Sequence, residues 1–159
     1  MIKFVLDADG IIKLAKASVL ESLTRFAKCT ITKQVYKEVS KGKEKMYEDA
    51  FIIEGLVKKG KMKISPVNYE NIDGLASGEC STLALFHKLK ADSIISDDRK
   101  FLSLLNSREI HFIIPTDIIT LLSTKHHISV IEAISALEKI RSFVHEENYT
   151  SAKRRIGGT

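Results

Sequence analysis

The amino-acid sequence predicts an α/β fold in which a central parallel sheet is covered by helices on both faces. Brief runs of consecutive apolar residues, typical of buried strands, alternate with longer segments of helical periodicity. Nearly continuous apolar strands favour a parallel sheet with both faces covered. The chain has 159 residues, 44% of them hydrophobic, which suits one domain with a substantial core. We therefore expect a single three-layer α/β/α domain with a helical C-terminal extension.

Short apolar runs are expected to form the strands of this sheet. They are residues 4–6, 29–31, 93–95 and 112–114, and a further short strand is expected immediately before Pro66. The segments between these runs are periodic and polar on one side, as expected for helices that cross over between parallel strands.

Segments with a 3.6-residue period predict the covering helices. They are residues 11–26, 50–57, 80–89 and 101–105, and Pro115 is expected to open another helix. From about residue 118 the pattern is helical only, with an apolar stripe through residues 130–140. We assign residues 1–124 to the main domain and residues 125–159 to a helical extension packed on it. The stripe suits either a cover for the sheet or a dimer interface.

The composition excludes several classes of protein. Lys and Arg number 25 and Asp and Glu 20, and the resulting net charge of +5 favours an acidic partner such as nucleic acid. No apolar run approaches the roughly 20 residues that span a bilayer, so no membrane partner is expected. Two cysteines cannot form a disulfide framework and the first apolar run is too short for a signal peptide, so we expect a cytoplasmic protein. The sequence has no P-loop, zincin or serine-hydrolase motif.

Carboxylates directly follow two of the predicted strands. Asp7 comes after residues 4–6, and Asp97 and Asp98 come after residues 94–96. Ligands of open α/β sheets bind at the carboxyl ends of the strands, which is where these side chains are expected. The competing role for each is to cap the helix that follows, because Asp is a favoured N-cap residue.

Glu38 and Glu79 lie among apolar neighbours in predicted helices. Ile31, Val35 and Val39 are expected on one helical face, and Glu38 falls within that stripe. An inward-facing carboxylate is costly unless it is paired or bound to a metal, and the alternative is a head group that reaches solvent. Glu79 stands at the start of the helix over residues 80–89, where the helix dipole alone would favour it.

These carboxylates are candidates for one metal site. Several like charges cannot stay ionised side by side without a counter-charge, and a hard divalent cation with oxygen ligands supplies it. Mg²⁺ or Mn²⁺ beside a basic surface is the chemistry of metal-assisted phosphodiester hydrolysis. The candidates are Asp7, Glu38, Glu79, Asp97 and Asp98, with Asp9 either pointing into the same cleft or opening the first helix.

Four segments carry a family resemblance. They are VLDA at residues 5–8 followed by IIKLA at 11–15, ITKQVYKE at 31–38, SGECS at 77–81 and ISDDRKF at 95–101. In this order and spacing, from residue 2 to about residue 122, the sequence resembles the PIN-domain nucleases. It is most similar to their small prokaryotic branch related to VapC-type toxins.

The resemblance implies a PIN-like nuclease domain over residues 1–124 with a catalytic quartet of acids. Carried over by position, the quartet is Asp7, Glu38, Glu79 and Asp98. The family's Thr-x-Asp turn selects Asp98 over its neighbour, and Ser96 takes the place of the Thr as a supporting residue. The expected metal ligands, with Mg²⁺ or Mn²⁺ as the cofactor, are Asp7, Glu79, Asp98 and Asp97.

Two residues depart from the family's pattern. Asp9 stands where Ser, Thr or Asn is common, and it adds a charge beside Asp7. Lys100 stands where many members have another acid, so a single bound metal is expected in place of two.

Basic and aromatic residues are candidates for nucleic-acid contacts. The expected RNA-binding residues are Lys13, Arg99, Lys100, Lys153, Arg154 and Arg155, and the alternative for each is a solvated helix face. Tyr36, Tyr47 and Tyr69 are candidates for contacts with bases, with packing as the alternative.

The resemblance implies a metal-dependent endoribonuclease, the toxin half of a toxin–antitoxin pair, which leaves a 5′-phosphate and a 3′-hydroxyl. The expected partners are RNA, a cognate antitoxin that inserts an Arg among the carboxylates, and a second copy of the chain in a homodimer. Two alternatives remain: a non-catalytic PIN-fold interaction module and a structure-selective DNA nuclease.

Overall fold

The central sheet has the strand order β3-β2-β1-β4-β5, and all four neighbouring pairs are parallel. The computed structural model describes residues 1–157. Within them the strands are Lys3–Leu6 (β1), Lys28–Thr32 (β2), Lys63–Ser65 (β3), Ser93–Ile95 (β4) and Phe112–Ile113 (β5). The predicted α/β class with a central parallel sheet is confirmed, and so is the short strand before Pro66.

Helices connect the strands and cover both faces of the sheet. In residues 1–157 they are Ala8–Lys16 (α1), Leu20–Phe26 (α2), Lys33–Ser40 (α3), Glu48–Lys58 (α4), Ser77–Leu89 (α5), Arg99–Ser107 (α6), Pro115–Thr124 (α7), Val130–Ile140 (α8) and Glu146–Ile156 (α9). Two 3₁₀ turns, Lys41–Lys43 and Arg141–Phe143, follow α3 and α8. Over the same residues, no helix combines the length and the apolarity that crossing a membrane requires.

The two faces of the sheet belong to two apolar cores. Successive strand residues point to opposite faces, so Ile95 joins one core while Ile94 joins the other. The larger core packs the sheet against α1 to α4 and α7 to α9. The smaller core contains Leu83 of α5 and Phe101 of α6. Both apolar surfaces of the sheet are thereby removed from water, as its nearly continuous apolar strands require.

The helix predicted over residues 11–26 is interrupted. Ser18 takes the left-handed conformation with φ of 61°, and the chain turns there between α1 and α2. Leu14 and Leu23 are both fully buried, so the apolar spacing continues across the turn although the helix does not. A pattern of burial alone therefore predicts one helix where two exist.

The C-terminal helices contribute to the larger core. Ser129 and Glu132 form a capping box that starts α8, and Leu137 of α8 and Ala152 of α9 are fully buried. Tyr149 links the two helices, because its hydroxyl donates to Glu138. The apolar stripe of α8 thus covers the core, whereas Val130 and Ile131 stay exposed at its start. The assigned extension, residues 125–159, ends with two residues that lie outside the described part of the chain.

Replacing Leu137 with Ala is expected to lower the free energy of unfolding by about 2–5 kcal/mol, because the change leaves a cavity in the larger core. Ile131→Ala on the same helix is the matched control. Ile131 is 82% exposed, so a change within about 0.5 kcal/mol is expected. Urea unfolding followed by circular dichroism measures both. Two separate transitions, with only one shifted by Leu137→Ala, would show that the extension unfolds independently.

Candidate functional site

A cleft of about 330 Å³ opens at the carboxyl ends of the central strands. Nine residues line it: Asp7, Ala8, Asp9, Ile12, Glu38, Ala76, Gly78, Glu79 and Asp98. Five of the nine carry carboxylates, and none of the nine carries a positive charge. We call this the acidic cleft.

Asp7 is the most buried of these carboxylates, with 2% exposure. It follows β1 and caps α1, because its Oδ1 accepts a hydrogen bond of 2.8 Å from the Gly10 amide. Its Oδ2 accepts from the hydroxyl of Ser96, which is itself fully buried. Burial raises the pKa of Asp7 to about 8, although both hydrogen bonds act in the opposite direction. An uncompensated charge at Asp7 is therefore disfavoured in the folded protein.

Gly10 allows α1 to approach the end of β4 closely. A Cβ atom at this position would lie 2.5 Å from the carbonyl oxygen of Ile95, closer than any side chain can approach. The same approach places Ser96 within reach of Asp7. Ser96 Oγ also accepts a 3.2 Å bond from the Asp98 amide, so one hydroxyl organises two of the acidic positions.

Glu38 lines the acidic cleft and its side chain is exposed, which is the solvent-reaching alternative for this residue and not the inward-facing one. Ile31 belongs to β2, and α3 begins only at Lys33, so Ile31 does not share a helical face with Val35 and Val39. The apolar face of α3 is narrower than predicted. Glu38 flanks this face and reaches the mouth of the cleft.

A glycine on the neighbouring helix makes room for Glu38. An ideal Cβ atom built on Gly78 would lie 3.1 Å from Glu38 Oε2. Thr32, the last residue of β2 and the N-cap of α3, is joined to Ser81 of α5 by a 2.7 Å hydrogen bond between their buried hydroxyls. The pairing of α3 with α5 therefore determines how near Glu38 comes to the other acids.

Glu79 is tied to the start of α5. Its Oε1 accepts a 3.0 Å hydrogen bond from the Ala76 amide, which is the helix-start role that was the alternative for this residue. Burial raises the pKa of Glu79, and repulsion from Asp98 and Glu38 raises it further, whereas the bond from Ala76 lowers it. Glu79 therefore both caps a helix and lines the acidic cleft.

Asp97 and Asp98 point to different surroundings, because adjacent residues in extended backbone project in opposite directions. Asp98 lines the cleft and caps α6, accepting a 3.0 Å bond from the Phe101 amide. The carboxylate of Asp97 instead accepts a 2.8 Å bond from Lys13 Nζ. The structure does not place Asp97 among the cleft residues, in contrast to its prediction as a metal ligand.

Lys13, one of the predicted RNA contacts, is enclosed between two carboxylates. Its Nζ lies 2.8 Å from Asp97 and 3.1 Å from Asp9, and its side chain is 14% exposed. Burial lowers the pKa of Lys13, but the bond to Asp97 and the charge of Asp9 outweigh it and raise the pKa overall.

Arg99 and Lys100 begin α6 beside the cleft and are exposed. The guanidinium of Arg99 lies 3.5 Å from Nδ1 of His145, the residue that caps α9. The Lys100 side chain passes the backbone of Gly74, where a Cβ atom would meet its Nζ at 2.9 Å. No sequence pattern predicts His145 here, because its position depends on how α9 packs.

The other three predicted RNA-binding residues lie on α9. Lys153 is 3.3 Å from Glu138 and Arg155 is 2.6 Å from Asp117, so both take part in surface ion pairs. Arg154 is exposed. The structure does not bring these three residues to the acidic cleft.

The cleft residues suit a hard divalent cation in the chemistry of their donor atoms. In residues 1–157, no three His, Cys, Asp or Glu side chains are close enough to hold one metal ion between them. The donors are nevertheless carboxylate oxygens, which Mg²⁺ and Mn²⁺ prefer. Mg²⁺ is commonly held by one or two carboxylates together with waters and substrate phosphates, so an open arrangement fits it. Asp7, Glu38, Glu79 and Asp98 are the residues that could hold the ion.

Comparisons with known proteins agree with this architecture. A family model described as a PIN domain (DUF3368) matches residues 3–158. The fold is similar to that of the PilT N-terminus domain protein SSO1118 from the hyperthermophilic archaeon Sulfolobus solfataricus P2, with a TM-score of 0.52. The two chains are 14% identical, and the similarity covers 73% of this chain and 89% of that one. A comparison with curated protein sequences finds no match.

In the absence of metal ions, the stability of the protein is expected to fall as the pH rises from 6 to 8. The pKa of Asp7 is about 8 in the folded protein, whereas the ordinary value of 3.8 applies to the unfolded chain. Between these two pH values, the folded protein therefore binds more protons than the unfolded chain. The contribution of Asp7 to the free energy of unfolding is fully present below about pH 4. It decreases as the pH rises, by up to about 1.4 kcal/mol per pH unit, and is lost once the pH has passed about 8. Urea unfolding in EDTA at several pH values measures it.

Asp7→Asn should remove this part of the pH dependence and stabilise the metal-free protein at pH 8. Asp73→Asn is the matched control, because Asp73 is exposed in a turn outside the acidic cleft. An Asp7→Asn protein whose pH dependence equals that of the wild type would show that Asp7 is ionised when folded.

Proposed function

We propose that this chain, which belongs to the PIN-domain family, is a divalent-metal-dependent endoribonuclease. PIN domains are generally nucleases, so hydrolysis of a phosphodiester is the activity of the family. The observation that carries the proposal is the convergence of five carboxylates on one cleft at the carboxyl edge of the sheet. A bound divalent cation would supply the counter-charge that so many acids around a buried carboxyl group need.

The roles of the residues follow from their surroundings. A divalent cation, when bound, supplies positive charge among the carboxylates and activates water for attack on phosphorus. Asp7 is held rigidly by the Ser96 hydroxyl and the Gly10 amide, so it provides a fixed oxygen position at the base of the cleft. Glu79 and Asp98 each accept one hydrogen bond from a backbone amide, which orients their carboxylates in the cleft, and they lie close enough together that Asp98 raises the pKa of Glu79.

RNA is the proposed substrate because it is a polyanion. The basic surface outside the acidic cleft would bind its phosphates, and the metal site in the cleft would cut the backbone. The 15 acidic residues outside the cleft are outnumbered by 25 lysines and arginines. Lysine and arginine contacts to phosphates would make the binding strongly dependent on salt. Arg99 and Lys100, exposed at the start of α6, are the nearest candidates along the chain to Asp98.

We also propose a toxin role with an antitoxin as partner. The sequence motifs that resemble the VapC-related branch support it. The acidic cleft offers several carboxylates to an arginine of a partner protein, which could bind two oxygens at once and thereby exclude a metal.

The neighbouring residues Asp98 and Asp97 provide a matched pair for a test of the site. Asp98→Asn should lower Mn²⁺-dependent cleavage of single-stranded RNA by at least about a hundredfold, because it removes a charge from the cleft while an asparagine can still cap α6. Asp97→Asn should retain cleavage, since Asp97 pairs with Lys13 outside the cleft. Cleavage is followed by gel electrophoresis of a labelled RNA.

Thermal unfolding by circular dichroism controls for folding of both variants. Full activity of the Asp98→Asn protein would contradict the catalytic assignment. Loss of activity in Asp97→Asn, with an unchanged melting temperature, would place Asp97 in the catalytic group after all.

A toxin is expected to stop bacterial growth when it is produced alone. Induced expression of the wild-type chain should arrest growth, whereas Asp98→Asn, which removes one cleft carboxylate, should not. Growth curves at matched protein levels, checked by immunoblotting, measure the effect. Normal growth with active wild-type protein would leave a ribonuclease without a toxin role.

A further inference from the structure

A second cleft, of about 510 Å³, lies at the C-terminal end of α1. Tyr47 and Phe143 line it, and each is 50% exposed, while Met46 beside them is 77% exposed. Large apolar side chains grouped at a surface mark a place where a partner binds. We call this the aromatic cleft, defined by Tyr47, Phe143 and Lys16.

Lysines lie over the exposed aromatic rings. Lys16 Nζ is 5.8 Å from the centroid of the Tyr47 ring and 5.0 Å from that of Phe143. It is held there by a 3.1 Å ion pair with Asp49, whose side chain is 8% exposed. Lys45 Nζ lies 5.9 Å from the Tyr47 centroid. The cation–π contacts hold the aromatic rings among positive charges.

The lining of the aromatic cleft carries two lysines, Lys16 and Lys139, and two acids, Glu48 and Asp49, so it has no net charge of its own. Asp49 is neutralised by Lys16, and Glu48 is a further acid among the lining residues. Lys139 also lines the cleft, where its Nζ donates to Ser18 Oγ. Lys45 lies over the Tyr47 ring without lining the cleft, and it adds one positive charge beside it.

The two clefts lie along one face of α1. Asp9 and Ile12 line the acidic cleft, and Lys16 lines the aromatic cleft. Residues spaced three and four apart share a helix face, so these three follow one another along the same side. Asp9 and Lys16 are separated by about 10 Å along the helix axis at 1.5 Å per residue. A chain that leaves one cleft along this face therefore reaches the other.

We propose that the aromatic cleft binds a base of the single-stranded RNA whose backbone is cut in the acidic cleft, an inference that rests on the proposed ribonuclease function. Single-strand binding sites combine aromatic rings, on which bases stack, with positive charges that follow the phosphates. Protein interfaces, by contrast, are depleted in lysine. The lysines at Tyr47 and Phe143 therefore favour RNA over a protein partner.

Binding is measured in EDTA, so that the result does not depend on cleavage. The probe is a fluorescein-labelled single-stranded RNA, and its affinity is followed by fluorescence anisotropy at fixed salt. Tyr47→Ala and Phe143→Ala should each weaken binding by about tenfold, which is what the loss of one stacked base produces. Tyr47→Phe and Phe143→Tyr keep the rings and should bind like the wild type.

Phe51→Ala is the matched control, because Phe51 is a 44% exposed aromatic residue on α4 outside the aromatic cleft. It should leave the affinity unchanged. In Mn²⁺, the two alanine variants should raise KM for RNA with little change in the rate of hydrolysis of bis(p-nitrophenyl) phosphate, which is too small to span both clefts.

Unchanged RNA affinity in the Tyr47→Ala/Phe143→Ala double variant would overturn the proposal. So would a wild-type dimer that this variant converts to a monomer with RNA affinity intact, since the surface would then bind a second copy of the chain. Light scattering after gel filtration distinguishes these cases. A wild-type protein that binds RNA through these rings but cleaves none would refute the ribonuclease function and leave the binding site standing.

Discussion

A carboxyl group buried at the end of the central strand is the constraint on which the candidate site depends. Asp7 accepts hydrogen bonds from the Gly10 amide and the Ser96 hydroxyl. This arrangement requires α1 to approach the end of β4 so closely that only a glycine fits at residue 10. Because β1 lies between β2 and β4, the same position adjoins the helices that carry the other acids. Burial raises the pKa of Asp7, so a negative charge on this carboxyl group is disfavoured in the folded protein unless a cation lies beside it.

The fold and most of the cleft could be predicted because both depend on local patterns. Buried parallel strands consist of short apolar runs in the sequence. Acids that directly follow such runs lie at the carboxyl ends of the strands, which meet at one edge of the sheet. The direction of individual side chains could not be predicted so well. The apolar spacing around Glu38 leaves open whether its carboxylate faces inward or reaches solvent, because the boundary between β2 and α3 is not visible in the sequence. Asp97 and Asp98 are adjacent in the sequence, but neighbouring residues of an extended segment diverge.

Residues contributed by distant parts of the chain were the hardest to predict. His145 reaches Arg99, and Phe143 reaches Lys16, only because α8 and α9 pack onto the larger core. No periodicity near residues 143–145 indicates those contacts. Similarly, the positive charge of Lys13 predicts a contact with a phosphate, but in the folded protein its Nζ is paired with the carboxylates of Asp9 and Asp97. Net charge alone therefore overstates how many cations are free to meet a ligand.

Helix α1 has a further consequence through its length. It begins at the acidic cleft and ends at the aromatic cleft, and its nine residues form a rigid rod with hydrogen bonds along its whole axis. The acidic cleft and the aromatic cleft therefore lie at a fixed distance from each other along the helix axis. In the proposed RNA complex, α1 would set the distance between the bound base and the cleaved bond.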